Sequence, residues 1–263
     1  MELIMLYLAM KYLRVGIQNE MQYRVNFFVQ LGQSLISLVT GLIGLWLVFS
    51  HTTDLNGWNQ AELLIVMGIF VLMGGVINAF IQPNMTRLLE EIQQGTLDYA
   101  LTKPADAQGL VSIREFRFWS LTDALVGFIV LGYGIYHYQG IVGISQSVAF
   151  ILALFLGSIL IYCFWLMITS TAFWFVRVDE IVNLFQGVYA AGRWPVGIYP
   201  QWLRVGLTFI IPVAFAVTIP AEALTSRLTP LILLGTFALT VLFVVLARLV
   251  WRWGLKNYSG ASA

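Results

Sequence analysis

Charge is what this sequence has least of. Only 27 of its 263 residues are Asp, Glu, Lys or Arg, 10% of the chain, where soluble domains carry about 25%. With 59% hydrophobic residues and a mean hydropathy of +0.83, a soluble core could not hide the apolar surface. Several nearly uncharged runs of about 18 or more residues instead read as membrane spans. A net charge of +1 gives nucleic acid nothing to hold. Cys163 is the single cysteine, which excludes an internal disulfide and leaves no metal-site spacing. The two histidines, His51 and His137, fall at the ends of separate apolar runs and read as interfacial residues, not as a metal pair. No G-x-x-x-x-G-K-[ST] occurs, so the chain has no P-loop to cradle a triphosphate. No Ser-His-Asp set, cysteine pair or carboxylate dyad lies within a span either, which leaves intramembrane enzyme chemistry without candidates.

What is there is a series of apolar segments. Residues 26–49, 62–81, 119–136, 146–176 and 229–253 read as spans, and 181–199 as a poorer one interrupted by Gly192, Arg193 and Pro195. Residues 202–223 are apolar but cut by Pro212 and Pro220, and an interrupted helix at membrane depth needs protein or water around it. The expectation there is a re-entrant hairpin over residues 200–224. Ahead of the first span, residues 1–25 read as an amphipathic helix lying in the membrane interface, because Ile4, Leu8, Tyr12 and Val15 recur at helical spacing with Lys11, Arg14 and Gln18 elsewhere on the wheel. A cleavable leader would place its positive charge before the apolar run; here Glu2 precedes it and Lys11 and Arg14 follow.

Lys and Arg placement orients the chain. With the N-terminus inside and six crossings, eleven cations fall inside, and only Arg204 and Arg227 fall outside. Both termini are therefore expected in the cytoplasm. A seventh crossing would carry the basic end of the chain, Arg248, Arg252 and Lys256, to the wrong side.

The loop at 83–118 holds nine of the charged residues. Asn84 could cap a helix whose Met85, Leu88, Leu89 and Ile92 share one face, and Gly95 is placed to end it. Either this is a solvated loop with a surface helix, or it is a docking element that takes force from a partner.

Gly95-Thr96-Leu97-Asp98-Tyr99 followed by Lys103-Pro104, after an amphipathic helix and two spans, resembles the permease subunits of type-2 ABC exporters. Arg193-Trp194-Pro195, Tyr199-Pro200, Trp202-Leu203-Arg204 and Ile211-Pro212 are similar to that family's outer segment before the last span. The resemblance covers essentially the whole chain. It implies an all-α membrane permease domain over 1–263, with six transmembrane helices, an interfacial N-terminal helix, a cytoplasmic coupling helix at 84–94 and an outer re-entrant hairpin. It further implies a bacterial inner-membrane location, a pair of separate ATPase subunits, which would hold the ATP and magnesium, and a second permease chain, the same or related. Arg87, Leu88, Leu89, Glu91, Ile92, Gly95, Leu97 and Asp98 become the coupling candidates. A membrane scaffold docking a cytosolic partner through the same loop is the alternative.

In the first span Gln30, Gln33, Ser34, Ser37, Gly41 and Gly44 fall along one side. They form either a helix–helix seam or the lining of a path between protomers, in which Gln30, Gln33, Ser37 and Asn78 are the candidates. Few polar groups elsewhere suggest a hydrophobic or amphipathic cargo. Asp123 is expected to pair with Arg114 or Arg117 at the inner interface, since an intramembrane carboxylate is costly alone. Arg193 either snorkels outward or faces an aqueous cavity. Phe164, Trp165, Phe173, Trp174 and Phe175 are expected to face lipid and the interface.

Overall fold

A computed structural model describes residues 2–22, 24–175 and 185–258. The chain is helical throughout the described residues, with one isolated bridge between Leu55 and Trp58. Helix α1 is Glu2–Met21, α2 Arg24–Phe49, α3 Gln60–Val76, α4 Gln82–Gln93, α5 Asp98–Leu101, α6 Ala107–Val111, α7 Leu121–His137 and α8 Ile144–Ser170. After the undescribed residues come the short α9 Gln201–Val205, α10 Val213–Ala216 and α11 Thr218–Leu224, then α12 Pro230–Lys256. Among the described residues five helices are long and apolar enough to cross a membrane, or six if the bent pair at 201–224 is one span.

The second span does not stop before Pro83, as expected from the sequence. It continues through a π-helical turn, Ile77–Ile81, into α4, giving one helix of 34 residues from Gln60 to Gln93. Proline lacks the N–H that would bond the carbonyl four residues back, here that of Ala79. The chain supplies a substitute, for Arg117 N–H donates to Ala79 O at 3.1 Å. The π turn widens the helix at the same point, with Gln82 N–H bonding Ile77 O. Asn84 consequently caps nothing. It is buried, and its amide donates to Phe80 O at 2.7 Å and Glu115 O at 2.8 Å while accepting from Glu115 N–H at 2.8 Å. It staples the returning 114–117 segment to the helix. Gly95 does end the helix. Its φ of +69° and the bonds Thr96 N–H to Glu91 O and Gly95 N–H to Ile92 O form a Schellman motif.

Helices α3 and α7 pack more closely than any spacing rule used above anticipates. A methyl group added to Gly68, Gly75, Gly127 or Gly134 would overlap the backbone of the opposite helix at Leu131, Ala124, Leu72 or Ile65. Two glycines seven residues apart on each helix thus let the backbones touch, and dispersion between them holds the pair where hydrocarbon offers no hydrophobic drive. Gly157 of α8 admits Phe215 and Ala216 of the broken segment in the same way.

That segment bends by 71° between Gln201–Ile210 and Val213–Leu224. Both of its ends reach the loop joining α2 to α3: Asn56 donates to Gly197 O at 2.9 Å, and Arg227 donates to Gly57 O at 2.5 Å and to Glu62 at 2.7 Å. It leaves and returns at one end of the bundle, as a re-entrant hairpin would. This is the end that the Lys/Arg bias makes the outer one. The interrupted segment at 181–199 begins outside the described residues; from 185 onward it is a helical turn followed by two 3-10 turns, Ala190–Arg193 and Val196–Ile198, not a straight helix.

The aromatic residues of the fourth span divide, against the expectation that all face lipid. Phe164 and Trp165 are core, at 7% and 2% exposure, whereas Phe175 is 66% exposed.

Candidate functional site

Two polar assemblies stand out in this apolar molecule. The first lies at membrane depth, where α2 leans on α7. Gln30 Nε2 donates to Asp123 Oδ2 at 2.8 Å, and Ser34 Oγ donates to Asp123 Oδ1. Asn78, on the π turn, lines the same pocket. Arg114 and Arg117 do not pair with Asp123, correcting the sequence expectation. Arg114 is engaged with Glu91, and Asp123 obtains an amide and a hydroxyl donor from α2 instead. Such donors offset part of the cost of a carboxylate in hydrocarbon.

Asp123 belongs to a pocket of about 290 Å³ that is also lined by Gln30, Gln33, Ser34, Ser37 and Asn78. The four candidates named from sequence for a path or seam therefore converge on one site. Ser34 is buried, whereas Gln33 and Ser37 are exposed on the free side of α2. Phe70 and Tyr189 form the wall, stacked at 4.9 Å, with Tyr189 Oη donating to Phe70 O at 2.9 Å. Arg193 lies over Phe70, its Cζ 5.6 Å from the ring centroid. It is half-buried beside α2 and α3, held by an aromatic face. Sequence reading named Asp123 but not its partners, which lie 93 and 89 residues away in the chain; Phe70 and Tyr189 gave no signal beyond their aromaticity.

The second assembly is the 83–118 platform. The apolar face of α4 turns inward. Leu88, Leu89, Ile92 and Leu97 are 0%, 4%, 8% and 0% exposed and join the hydrophobic core or its edge. In this position they pack against the rest of the chain and can support or transmit a load. Glu91 receives Arg114 in a two-pronged pair at 2.9 and 2.7 Å, with side chains only 6% and 15% exposed, and Arg87 bridges Glu91 and Glu115. Gly95 supplies the turn, and Asp98 opens α5. What projects is the tip beyond it: Tyr99 is 78% exposed, and Thr102, Lys103 and Pro104 are exposed with it. Lys103 Nζ meets Tyr12 Oη of α1 at 3.2 Å. An exposed tyrosine on a charged loop was the available signal for this tip.

The last span reaches the same platform. Arg248 of α12 bonds Asp106 at 2.5 and 3.1 Å and Gln108 at 2.7 Å, while Asp106 caps α6 through Gly109 N–H at 3.0 Å. The Arg248 guanidinium holds the Asp106 carboxyl below the usual carboxylate range. Among the described residues no group of three or more His, Cys, Asp or Glu could hold a metal.

Helices of this length and composition, a polar pocket on a membrane-depth face and a braced polar platform at one end define a multi-pass membrane protein of the transport class. The family model for ABC-2 family transporter protein matches residues 35–262, and the chain belongs to that family, whose members are membrane transport components and not themselves catalytic. No curated protein and no solved structure matches the chain.

Proposed function

We propose that this permease subunit is the membrane half of an ATP-driven exporter. A pair of separate ATPase subunits, binding ATP and magnesium, docks on the 83–118 platform from the cytoplasm. A second permease chain, the same or related, completes the path along the Gln30, Gln33, Ser37 and Asn78 face. The cargo is hydrophobic or amphipathic. The chain sits in a bacterial inner membrane with both termini cytoplasmic.

The observation that carries this reading is the platform's construction. A helix continuous with the second span runs past the bilayer, is braced by the buried Arg114–Glu91 pair and ends in an exposed tip at Tyr99–Pro104. A rigid rod with an exposed tip can deliver a push from an ATPase to the polar pocket, because Asn78 sits on the same rod. The exposure of Gln33 and Ser37 supports a second chain on α2, since unsatisfied amides toward lipid are unfavourable.

The test is co-expression with a P-loop ATPase, sought first among the proteins encoded beside this chain. Tyr99→Asp with Lys103→Asp should abolish co-purification of the ATPase while the permease keeps its thermal stability. Unchanged co-purification defeats the docking assignment. If no neighbouring P-loop protein exists, the scaffold reading takes its place.

A further inference from the structure

A cleft of about 900 Å³ opens between the outer ends of α2, α3 and α7, away from the Asp123 pocket. Its floor is apolar, made by Leu42, Leu45, Phe49 and Leu64. Its mouth is polar, with Thr53, Gln60 and Gln139 exposed there. Their side chains make no hydrogen bond among the described residues. Trp46 and Tyr133 flank the opening at 66% and 56% exposure. The lining includes no Asp, Glu, Lys or Arg.

This division of chemistry matches one kind of molecule. An apolar floor within the span and a polar mouth at its end fit an acyl chain with its head at the interface, where aromatic side chains are at home. A phosphate head would bring a charge to a lining that holds no Lys or Arg and has His137 as its one basic side chain, and an unpaired charge is unfavourable in a partly dry site. Two amides and a hydroxyl beside aromatic faces suit a head that is uncharged and exchanges many hydrogen bonds.

We propose that the cleft binds a lipid with an uncharged, hydroxyl-rich head, of the glycosyl diacylglycerol kind. The proposal rests on reading α2, α3 and α7 as spans, but it needs no ATPase. The lipid would fill the wedge between α2 and the close-packed α3–α7 pair, so it steadies the helix that carries Gln30, Gln33 and Ser37.

Native mass spectrometry of the purified permease alone, given equal amounts of glucosyl diacylglycerol and phosphatidylglycerol with the same acyl chains, tests it. The wild-type chain should retain the glycolipid about tenfold over the phospholipid, a difference of about 1.4 kcal/mol. Ala61→Trp, which fills the cleft, should bring glycolipid retention to background. Gln60→Ala with Gln139→Ala, two exposed positions, should reduce the preference at least fivefold at unchanged thermal stability. Equal retention of the two lipids by the wild type overturns the proposal, as does a preference untouched by the double alanine variant. A Trp46→Cys chain that crosslinks to a second permease would show the cleft closed by protein and overturn it too. None of these results bears on whether an ATPase docks at Tyr99, so this proposal and the exporter reading fail separately.

Discussion

Pro83 and Pro212 sit in the same local setting and have opposite outcomes. A π-helical turn precedes each, Ile77–Ile81 before one and Gly206–Ile210 before the other. At Pro83 the helix runs on: Gln82 keeps helical angles, φ −56° and ψ −48°, although the residue before a proline is biased away from them. At Pro212 the bias wins: Ile211 is extended at φ −115° and ψ 103°, and the chain turns by 71°. The difference lies outside both helices. The carbonyl freed by Pro83 receives Arg117 N–H, and Asn84 clamps the same returning segment. After Pro212 the chain instead folds α10 and α11 onto α8, against Gly157. A proline therefore breaks or spares a helix according to whether the rest of the fold supplies a donor. One outcome gives a straight lever, the other a hairpin.

The lever should be far more sensitive than the hairpin to loss of its braces. Arg114→Ala removes the buried partner of Glu91 and leaves it only the more exposed Arg87, so the cost should fall near the lower end of the about 3–5 kcal/mol of a broken buried pair. Thermal unfolding should register that loss, while cysteines at the exposed Gln201 and Ser226 keep labelling from outside; loss of labelling as well would mean that the two regions are not independent. Asn84→Leu leaves both backbone groups of Glu115 unpaired and should cost roughly 1–3 kcal/mol, with faster proteolysis of the 83–118 loop. Pro83→Ala, by contrast, should change stability by no more than about 1 kcal/mol, because Arg117 already serves the Ala79 carbonyl. A larger effect would show that the proline itself, and not the returning segment, sets the helix path.

The smallest effect concerns the link between α12 and the platform. Asp106→Asn should cost about 0.5–1 kcal/mol, since both partners are a third exposed and screened by solvent. Its carboxyl titrates lower in the folded chain than in the unfolded one, so the contribution is complete at neutral pH. It fades as the pH falls below about 4, as the unfolded chain takes up its proton first, and is gone once the folded carboxyl is protonated. Stability measured against pH should show this acid-limb contribution in the wild type and lack it in the variant.

The spans were legible because burial in lipid selects composition: residues 26–49, 119–136 and 229–253 match Arg24–Phe49, Leu121–His137 and Pro230–Lys256 to within a turn. Gly95 was legible because a positive φ favours a specific residue. The run through Pro83 was not, because its cause is Arg117, far along the chain. The α3–α7 contact was hidden for a related reason: Gly68, Gly75, Gly127 and Gly134 look like ordinary glycines until the facing helix is known. Leu88 and Leu89 gave the helical period, and the fold shows the chain's own core covering them; periodicity reports that a face is covered, not what covers it. At the polar pocket the residue types were readable, and their convergence on Asp123 needed the fold.

The account stands on the lever, not the hairpin, meeting the ATPase. A photo-crosslinking amino acid placed at Tyr99 in one chain and at Phe209, 58% exposed on the hairpin, in another compares the two directly in cells that carry a co-purifying P-loop ATPase. The expected result is capture of the ATPase from position 99 and none from position 209. Capture from 209, or from neither position while the complex remains intact, would contradict it.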